Sequence, residues 1–189
     1  MAFEDYKTKN SVVLVYTGEG KGKTSAGVGL LARALGANWR VAFVQFVKAW
    51  EVSEHKFIDK IQPLFNKQLL FYRGGKGFYN AGEISEKNVS EGEHKQAAAT
   101  TYKVAYEAAT SGMYALVICD EINNAVHDGL LKPAQLQTLI TKRHPKTSLC
   151  LTGRNFPEDL LEFVDIATHM TKMRHHFDDK FLANEGIDF

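Results

Sequence analysis

The stretch Thr17-Gly18-Glu19-Gly20-Lys21-Gly22-Lys23-Thr24-Ser25 constrains the fold of this chain more than any other. It follows the apolar run at residues 12–16 and leads into a helix-like segment at 26–35. Strand, glycine turn and helix in that order build an anion cradle: freed backbone N–H groups converge, the helix dipole adds positive potential, and a lysine supplies a point charge. A nucleoside triphosphate is its natural occupant. The P-loop pattern of Gly, four residues, then Gly-Lys-Ser/Thr is shifted here, because Thr17 stands where the first glycine belongs and Gly18 comes one position late. The loop is therefore compact and carries two lysines, Lys21 and Lys23. Glu19 has to face solvent, since a carboxylate among phosphates is repelled.

A chain of 189 residues is long enough for one α/β domain with a sizeable core. Lys and Arg total 23 against 22 for Asp and Glu, a net charge of +1. That balance argues against a nucleic-acid coat or a polybasic membrane anchor, so anion binding is local. Residues 1–7 have mixed charge, and no apolar run approaches the ~20 residues a membrane span needs. The reading is a cytoplasmic protein with a polar N-terminal arm at 1–10 and a single domain at 11–189. Cys119 and Cys150 lie inside apolar runs, where a thiol behaves as a small buried hydrophobe rather than a metal or disulfide partner.

Short β-rich runs at 12–16, 41–46, 69–72, 115–119, 148–152 and 166–170 alternate with helical patterns. This predicts a three-layer α/β fold with a mainly parallel sheet covered on both faces and ligands at the carboxyl ends of its strands. The first helix, 24–36, is apolar nearly all round apart from Arg33 and is expected to be buried between the sheet and a further element, with Gly27 and Gly29 permitting close packing. A helix over 85–111 turns Ala97, Thr101, Val104, Ala105 and Ala108 inward, and Gly112 ends it. Pro133 and Pro157 open two further helices. Asn155 is expected to cap the second, with Glu158 and Asp159 at its positive end.

Two more constellations carry chemistry. Leu116-Val117-Ile118-Cys119-Asp120-Glu121 is an apolar strand ending in two carboxylates, and Mg²⁺ takes one or two carboxylates with phosphate oxygens and water. Paired with the Thr24 hydroxyl, these residues make a metal site. Phe71-Tyr72-Arg73-Gly74-Gly75-Lys76-Gly77-Phe78-Tyr79 joins glycines to aromatics at the ligand edge of the sheet, either as a plain mobile loop or as the cover of a large flat ligand. Arg154 follows a strand end and is placed to clamp a phosphate or to form an exposed salt bridge. His169, His175 and His176 lack zinc-ligand spacing.

With these segments in order, the chain resembles the ATP:corrinoid adenosyltransferases. The resemblance runs through residues 17–24, Ala32-Arg33-Ala34-Leu35-Gly36, Val44-Gln45-Phe46-Val47-Lys48, Gly77-Phe78, Asp120-Glu121, Leu151-Thr152-Gly153-Arg154 and residues 175–189, ending Gly186-Ile187-Asp188-Phe189. It implies a RecA-like P-loop homodimer that moves the 5′-deoxyadenosyl group of ATP to the cobalt of a reduced corrinoid and releases triphosphate. On that likeness Gly18, Gly20, Lys21, Gly22, Lys23, Thr24 and Ser25 hold the triphosphate, and Arg33 lies near the nucleotide. Thr24 and Glu121 hold Mg²⁺, with Asp120 in support. An external reductant such as a flavodoxin prepares the cobalt, and aromatic rings displace its lower axial ligand. Phe78 matches one such ring, and Tyr79 is the candidate for the other, where many relatives carry a tryptophan instead. Asp179-Lys180-Phe181-Leu182 also departs from the pattern of relatives, and Trp50 matches a family tryptophan only loosely.

Two other readings suit the same residues. A P-loop ATPase or small-molecule kinase would use Glu121 to orient a water or hydroxyl at the γ-phosphate. A catalytically silent nucleotide- or corrinoid-binding paralogue would keep Lys23, Thr24 and Glu121 without turnover.

Overall fold

The computed structural model describes residues 5–48, 50–77, 79 and 88–188. Six parallel strands form one sheet in the order β3-β2-β4-β5-β1-β6: β1 (Val13–Thr17), β2 (Val41–Gln45), β3 (Leu69–Arg73), β4 (Leu116–Asp120), β5 (Ser148–Thr152) and β6 (Ile166–His169). Each lies within a residue of the position its apolar run predicts. Parallel neighbours need crossovers, and the helices α1 (Lys23–Gly36), α2 (Ser53–Ile61), α3 (Glu91–Thr110), α4 (Ile122–His127) and α5 (Pro133–Lys142) supply most of them.

Strand alternation divides the apolar residues between two cores. Val41 and Phe43 of β2, Leu116 and Ile118 of β4 and Cys150 of β5 meet Leu31, Ala34 and Leu35 of α1 and Ile58 of α2 on one face. Ala42, Val44, Val117, Cys119, Leu149 and Leu151 meet α3, α4 and α5 on the other. The result is the three-layer α/β arrangement of P-loop proteins. No helix among the described residues is long and apolar enough to cross a membrane.

Some local expectations give way. The first helix is not buried all round: Ser25, Gly29, Ala32 and Arg33 are exposed, because the layer beyond it is solvent. A Cβ on Gly27 would meet Ile118 at an ordinary 3.5 Å and one on Gly29 would meet nothing within 4 Å, so neither glycine is needed for packing. The long helix starts at Glu91, after a capping box in which Ser90 accepts from the Glu93 N–H and Glu93 accepts from the Ser90 N–H. Residues 85–87 lie outside the described residues. Gly112 does follow α3 with φ 69°. Pro133 opens α5, whereas Pro157 is itself the N-cap of a 3₁₀ turn (Glu158–Phe163), so Asn155 does not cap it. Asn155 instead takes a left-handed φ of 53° in the preceding bend.

Candidate active site

Register brings the chemistry to one edge. Gln45 at the end of β2 is level with Asp120 at the end of β4, and Tyr16 near the end of β1 is level with Thr152 at the end of β5. Four strand ends therefore converge beneath the phosphate loop. The loop turns through left-handed Gly18 (φ 99°) and Gly22 (φ 103°), conformations that side chains resist. Gly22 caps α1 with no side-chain hydrogen bond, and no acidic residue stands in the helix's first turn, so its positive end is open to an anion.

Lys23 folds back over the loop. Its ammonium donates to the carbonyls of Gly18 and Gly20, both at 2.7 Å, and is nearly buried. Burial, helped by the charges of Arg154 and Lys21, draws its pKa below the usual lysine range against the pull of Glu121 and Glu19. One predicted cradle donor is engaged elsewhere: the Gly20 N–H donates to the Met170 carbonyl at 2.7 Å. A Cβ at Gly18 would sit 2.5 Å from that same carbonyl, so the loop is pressed against the chain that leaves β6. Glu19 faces solvent as electrostatics requires and meets Arg154, whose Nε is 3.3 Å from its carboxylate. Arg154 thus forms the exposed salt bridge, at the carboxyl edge as expected. Lys21 is half exposed, 4.0 Å from Asp188 of the C-terminal segment.

Beneath the loop Asp120 is fully buried and accepts three hydrogen bonds. They come from Thr152 Oγ1 (2.7 Å), Gln45 Nε2 (2.9 Å) and Thr24 Oγ1 (3.3 Å). The Gln45 amide oxygen in turn meets His55 Nε2. His55 Nδ1 accepts from the Val52 N–H, which fixes the ring as a neutral donor toward Gln45. Burial, reinforced by Arg73, holds His55 below its usual pKa. Asp120 accepts the hydrogen bond of the Thr24 hydroxyl, which turns that oxygen's lone pairs outward.

Glu121 follows in a left-handed conformation, φ 62°, with its N–H donating to Thr152 Oγ1 at 3.0 Å. Burial and the adjacent Asp120 push its pKa up to about 7, while Lys48, Lys23 and Arg154 oppose the rise. Lys48 lies 2.7 Å from Glu54 and 3.4 Å from Thr24 Oγ1. Burial pulls Lys48 down, but the charges of Asp120 and Glu54 and the Glu54 hydrogen bond outweigh it and hold it above the usual lysine range.

The structure therefore gathers Gly18, Gly20, Lys21, Gly22, Lys23, Thr24, Asp120, Glu121 and Arg154 around one edge, with Ser25 exposed in the first turn of α1. Arg33 is not brought there. It sits exposed in the last turn of α1, ten residues and about 15 Å of helix rise from Lys23. Phe78 lies outside the described residues. Tyr79 turns inward, its ring 5.2 Å from that of His94 and packed on the α3 core, because an aromatic beside an apolar helix face gains more by burial than by exposure. The glycines before it are tightly held: Gly74 N donates to Gln45 O and Gly77 N to Val47 O, each at 3.0 Å. This part of the loop is clamped, not loose.

Sequence reasoning gave no role to Gln45, Lys48, Glu54, His55 or Thr152. A signal existed for two of them, since Gln45 and Thr152 are polar residues closing otherwise apolar strands. Glu54 and His55 come from α2, whose docking over the end of β2 no local pattern reveals.

A Mg²⁺ ion fits the residues present. Among the described residues no three His, Cys, Asp or Glu converge on a metal-holding cluster. The Thr24 hydroxyl and the strand-end carboxylates are hard oxygen donors of the kind Mg²⁺ combines with phosphate oxygens and water.

A parallel three-layer sheet with a glycine-lysine loop after β1, a helix N-terminus behind it and carboxylates closing β4 defines the P-loop class of nucleotide-binding proteins. The family model for "ATP:corrinoid adenosyltransferase BtuR/CobO/CobP" matches residues 9–189. The chain is 29% identical over 184 residues to the corrinoid adenosyltransferase of Pseudomonas aeruginosa, covering 97% of this chain and 86% of that protein. It is 31% identical over 183 residues to the one from a Sinorhizobium species (96% and 81%) and 25% identical over 182 residues to that of Escherichia coli K12 (96% and 87%). The chain belongs to the ATP:corrinoid adenosyltransferase family and is, with it, a transferase.

Proposed function

We propose that this enzyme transfers the 5′-deoxyadenosyl group of ATP to the Co(I) centre of a reduced corrinoid, with triphosphate as leaving group. The supporting observation is the convergence of Lys21, Lys23, Lys48, Arg154 and the uncapped α1 N-terminus on one short loop. Such a cluster neutralises a polyphosphate held as a unit. Co(I) is a strong nucleophile: its electron pair forms the Co–C5′ bond, the C5′–O5′ bond breaks, and that pair leaves on the triphosphate. No proton moves, so no general base is required. The protein's tasks are positioning, neutralising the leaving group and excluding water.

Gly18, Glu19, Gly20, Lys21, Gly22, Lys23, Thr24 and Ser25 frame the triphosphate, Glu19 through its bridge to Arg154 at the loop's rim. Lys23 exchanges its loop carbonyls for phosphate oxygens. Thr24 and Glu121, with Asp120 behind them, would hold Mg²⁺, which adds positive charge to the departing oxygens. Arg33 reaches the nucleotide only through a part of the ligand away from the loop. Phe78 is the ring that displaces the lower axial ligand before an external reductant acts, and Tyr79 anchors its loop on α3. A homodimer in the cytoplasm completes the reading, with a polar N-terminal arm at 1–10 and a single domain at 11–189.

Anaerobic incubation with MgATP and chemically reduced cobalamin tests it. Adenosylcorrinoid with triphosphate is the expected outcome. ADP with orthophosphate, independent of corrinoid, overturns it in favour of a hydrolase, and no turnover overturns it in favour of a silent binder. Phe78→Ala is expected to lose activity from Co(II) with a milder defect from pre-reduced Co(I).

A further inference from the structure

Two charged side chains meet at one oxygen. The Thr24 hydroxyl donates its hydrogen bond to Asp120 Oδ2, 3.3 Å away, so what it presents outward is lone-pair density. Lys48 donates to that density from 3.4 Å. The same oxygen is the one a divalent cation needs on the P-loop side, and an ammonium and a metal ion sharing its two outward lone pairs repel each other at close range. Lys48 also has somewhere else to go: Glu54, in the first turn of α2, already holds its Nζ at 2.7 Å. Both side chains of this pair are only 15% exposed, so water screens them little. Glu54 is itself favoured where it stands by the positive end of α2.

We propose that Lys48 is an exchangeable counter-ion and a positioning residue of the phosphate site, yielding the Thr24 oxygen to Mg²⁺ while Glu54 retains its ammonium. The inference rests on the reading that Thr24, Asp120 and Glu121 serve the metal. It has a consequence for order of binding. Free Mg²⁺ entering alone meets Lys48 as a nearby like charge, whereas Mg²⁺ arriving on a polyphosphate brings compensating negative charge. The site therefore favours metal and triphosphate together, and once triphosphate departs Lys48 competes for the oxygen again and loosens the metal. A sequence carrying a lysine three residues past the end of β2 and an acid six residues later thus encodes coupling between metal and nucleotide.

The test is thermal unfolding of the full chain titrated with Mg²⁺ alone, in wild type, Lys48→Met and Lys48→Arg. Lys48→Met is expected to reach half its thermal shift at a Mg²⁺ concentration at least fivefold lower than wild type, and Lys48→Arg to stay within twofold of wild type. A Lys48→Met midpoint equal to or higher than wild type overturns the proposal, including the case where the variant is less stable at every Mg²⁺ concentration, as a purely structural lysine would make it. Should Lys48→Met fail to fold, Glu54→Gln carries the test: without the retaining carboxylate Lys48 stays on Thr24, and the Mg²⁺ midpoint rises at least threefold. An unchanged or lower midpoint in Glu54→Gln sinks the idea. Titration with MgATP separates the two levels. No MgATP shift in wild type removes the metal reading itself, whereas a clear MgATP shift with equal free-Mg²⁺ midpoints in wild type and Lys48→Met removes only Lys48.

Discussion

Glu121 combines two unfavourable features, a left-handed backbone and a carboxyl group whose ionisation both burial and the charge of Asp120 oppose. Residues held this way persist where the surroundings over-determine them, and such positions cluster at functional sites. Its pKa of about 7 in the fold, against an ordinary 4.5, fixes the sign of a pH effect. Between those values the folded protein binds more protons than the unfolded chain, so the favourable contribution is full below about pH 4.5 and is lost as pH rises through 7. Glu121→Gln removes the titration but keeps the backbone, and is expected to flatten this loss, on the order of 1–3 kcal/mol between pH 5 and 7.5. Urea unfolding of both proteins at the two pH values measures it, and an identical pH slope in the variant would refute it. The proposed role of Asp120, support rather than principal ligand, rests in the sequence on family likeness alone. Its three hydrogen-bond donors come from β2, β5 and α1, elements whose neighbours are set by strand order. For the same reason Gln45 and His55, buried together behind Asp120, carry no local signature that separates them from ordinary strand and helix residues.

At the scale of elements, the strands were readable because apolar, β-branched runs bounded by turn residues specify them locally. The start of α3 was misplaced although the Ser90-to-Glu93 spacing of a capping box was there to be used. The inward-facing residues that mark this helix in the sequence, Ala97 to Ala108, all lie downstream of the cap and do not fix where the helix begins. The glycines after β3 show a different limit: they look like flexibility and are in fact close contact. A Cβ on Gly74 would lie 1.7 Å from Thr101 Oγ1 on α3, and one on Gly75 would lie 2.3 Å from the backbone of Val47. Gly74→Ala is expected to destabilise by about 1–3 kcal/mol through overpacking. Because the obstacle there is a side chain, Thr101→Ala in the same background restores part of the loss, although the Thr101 Cβ remains 2.8 Å away. Gly75→Ala meets main chain and admits no such relief. Denaturant midpoints for the singles and the double decide this, and strict additivity of Gly74→Ala with Thr101→Ala would show that the two sites do not collide.

For the whole molecule, the two cores are joined by the strands they share, and this determines how the protein unfolds. The alternation of apolar residues made the layers legible in advance, while the strand order β3-β2-β4-β5-β1-β6 was not, since β2 pairs with β4, and β1 with β5 and β6, none of them sequence neighbours. Phe43 sits fully buried on the α1–α2 side and Leu139 fully buried on the α3–α5 side, yet β2, β4 and β5 contribute alternate residues to both cores. Neither core can be exposed without uncovering strands that the other needs. Phe43→Ala is therefore expected to cost about 3–5 kcal/mol and Leu139→Ala about 2–5 kcal/mol. Each should lower one common transition rather than release a half-folded state. The two residues belong to clusters on opposite faces, so their effects should add to within about 0.5 kcal/mol in the double variant, if it still folds. Calorimetry is the discriminating measurement, because a single cooperative unit gives equal calorimetric and van't Hoff enthalpies in both single variants. Two resolved transitions in Leu139→Ala, with the face that carries α1 and the phosphate loop melting separately, would show that the chain is two folding units and that the site's strand ends are not held by one sheet.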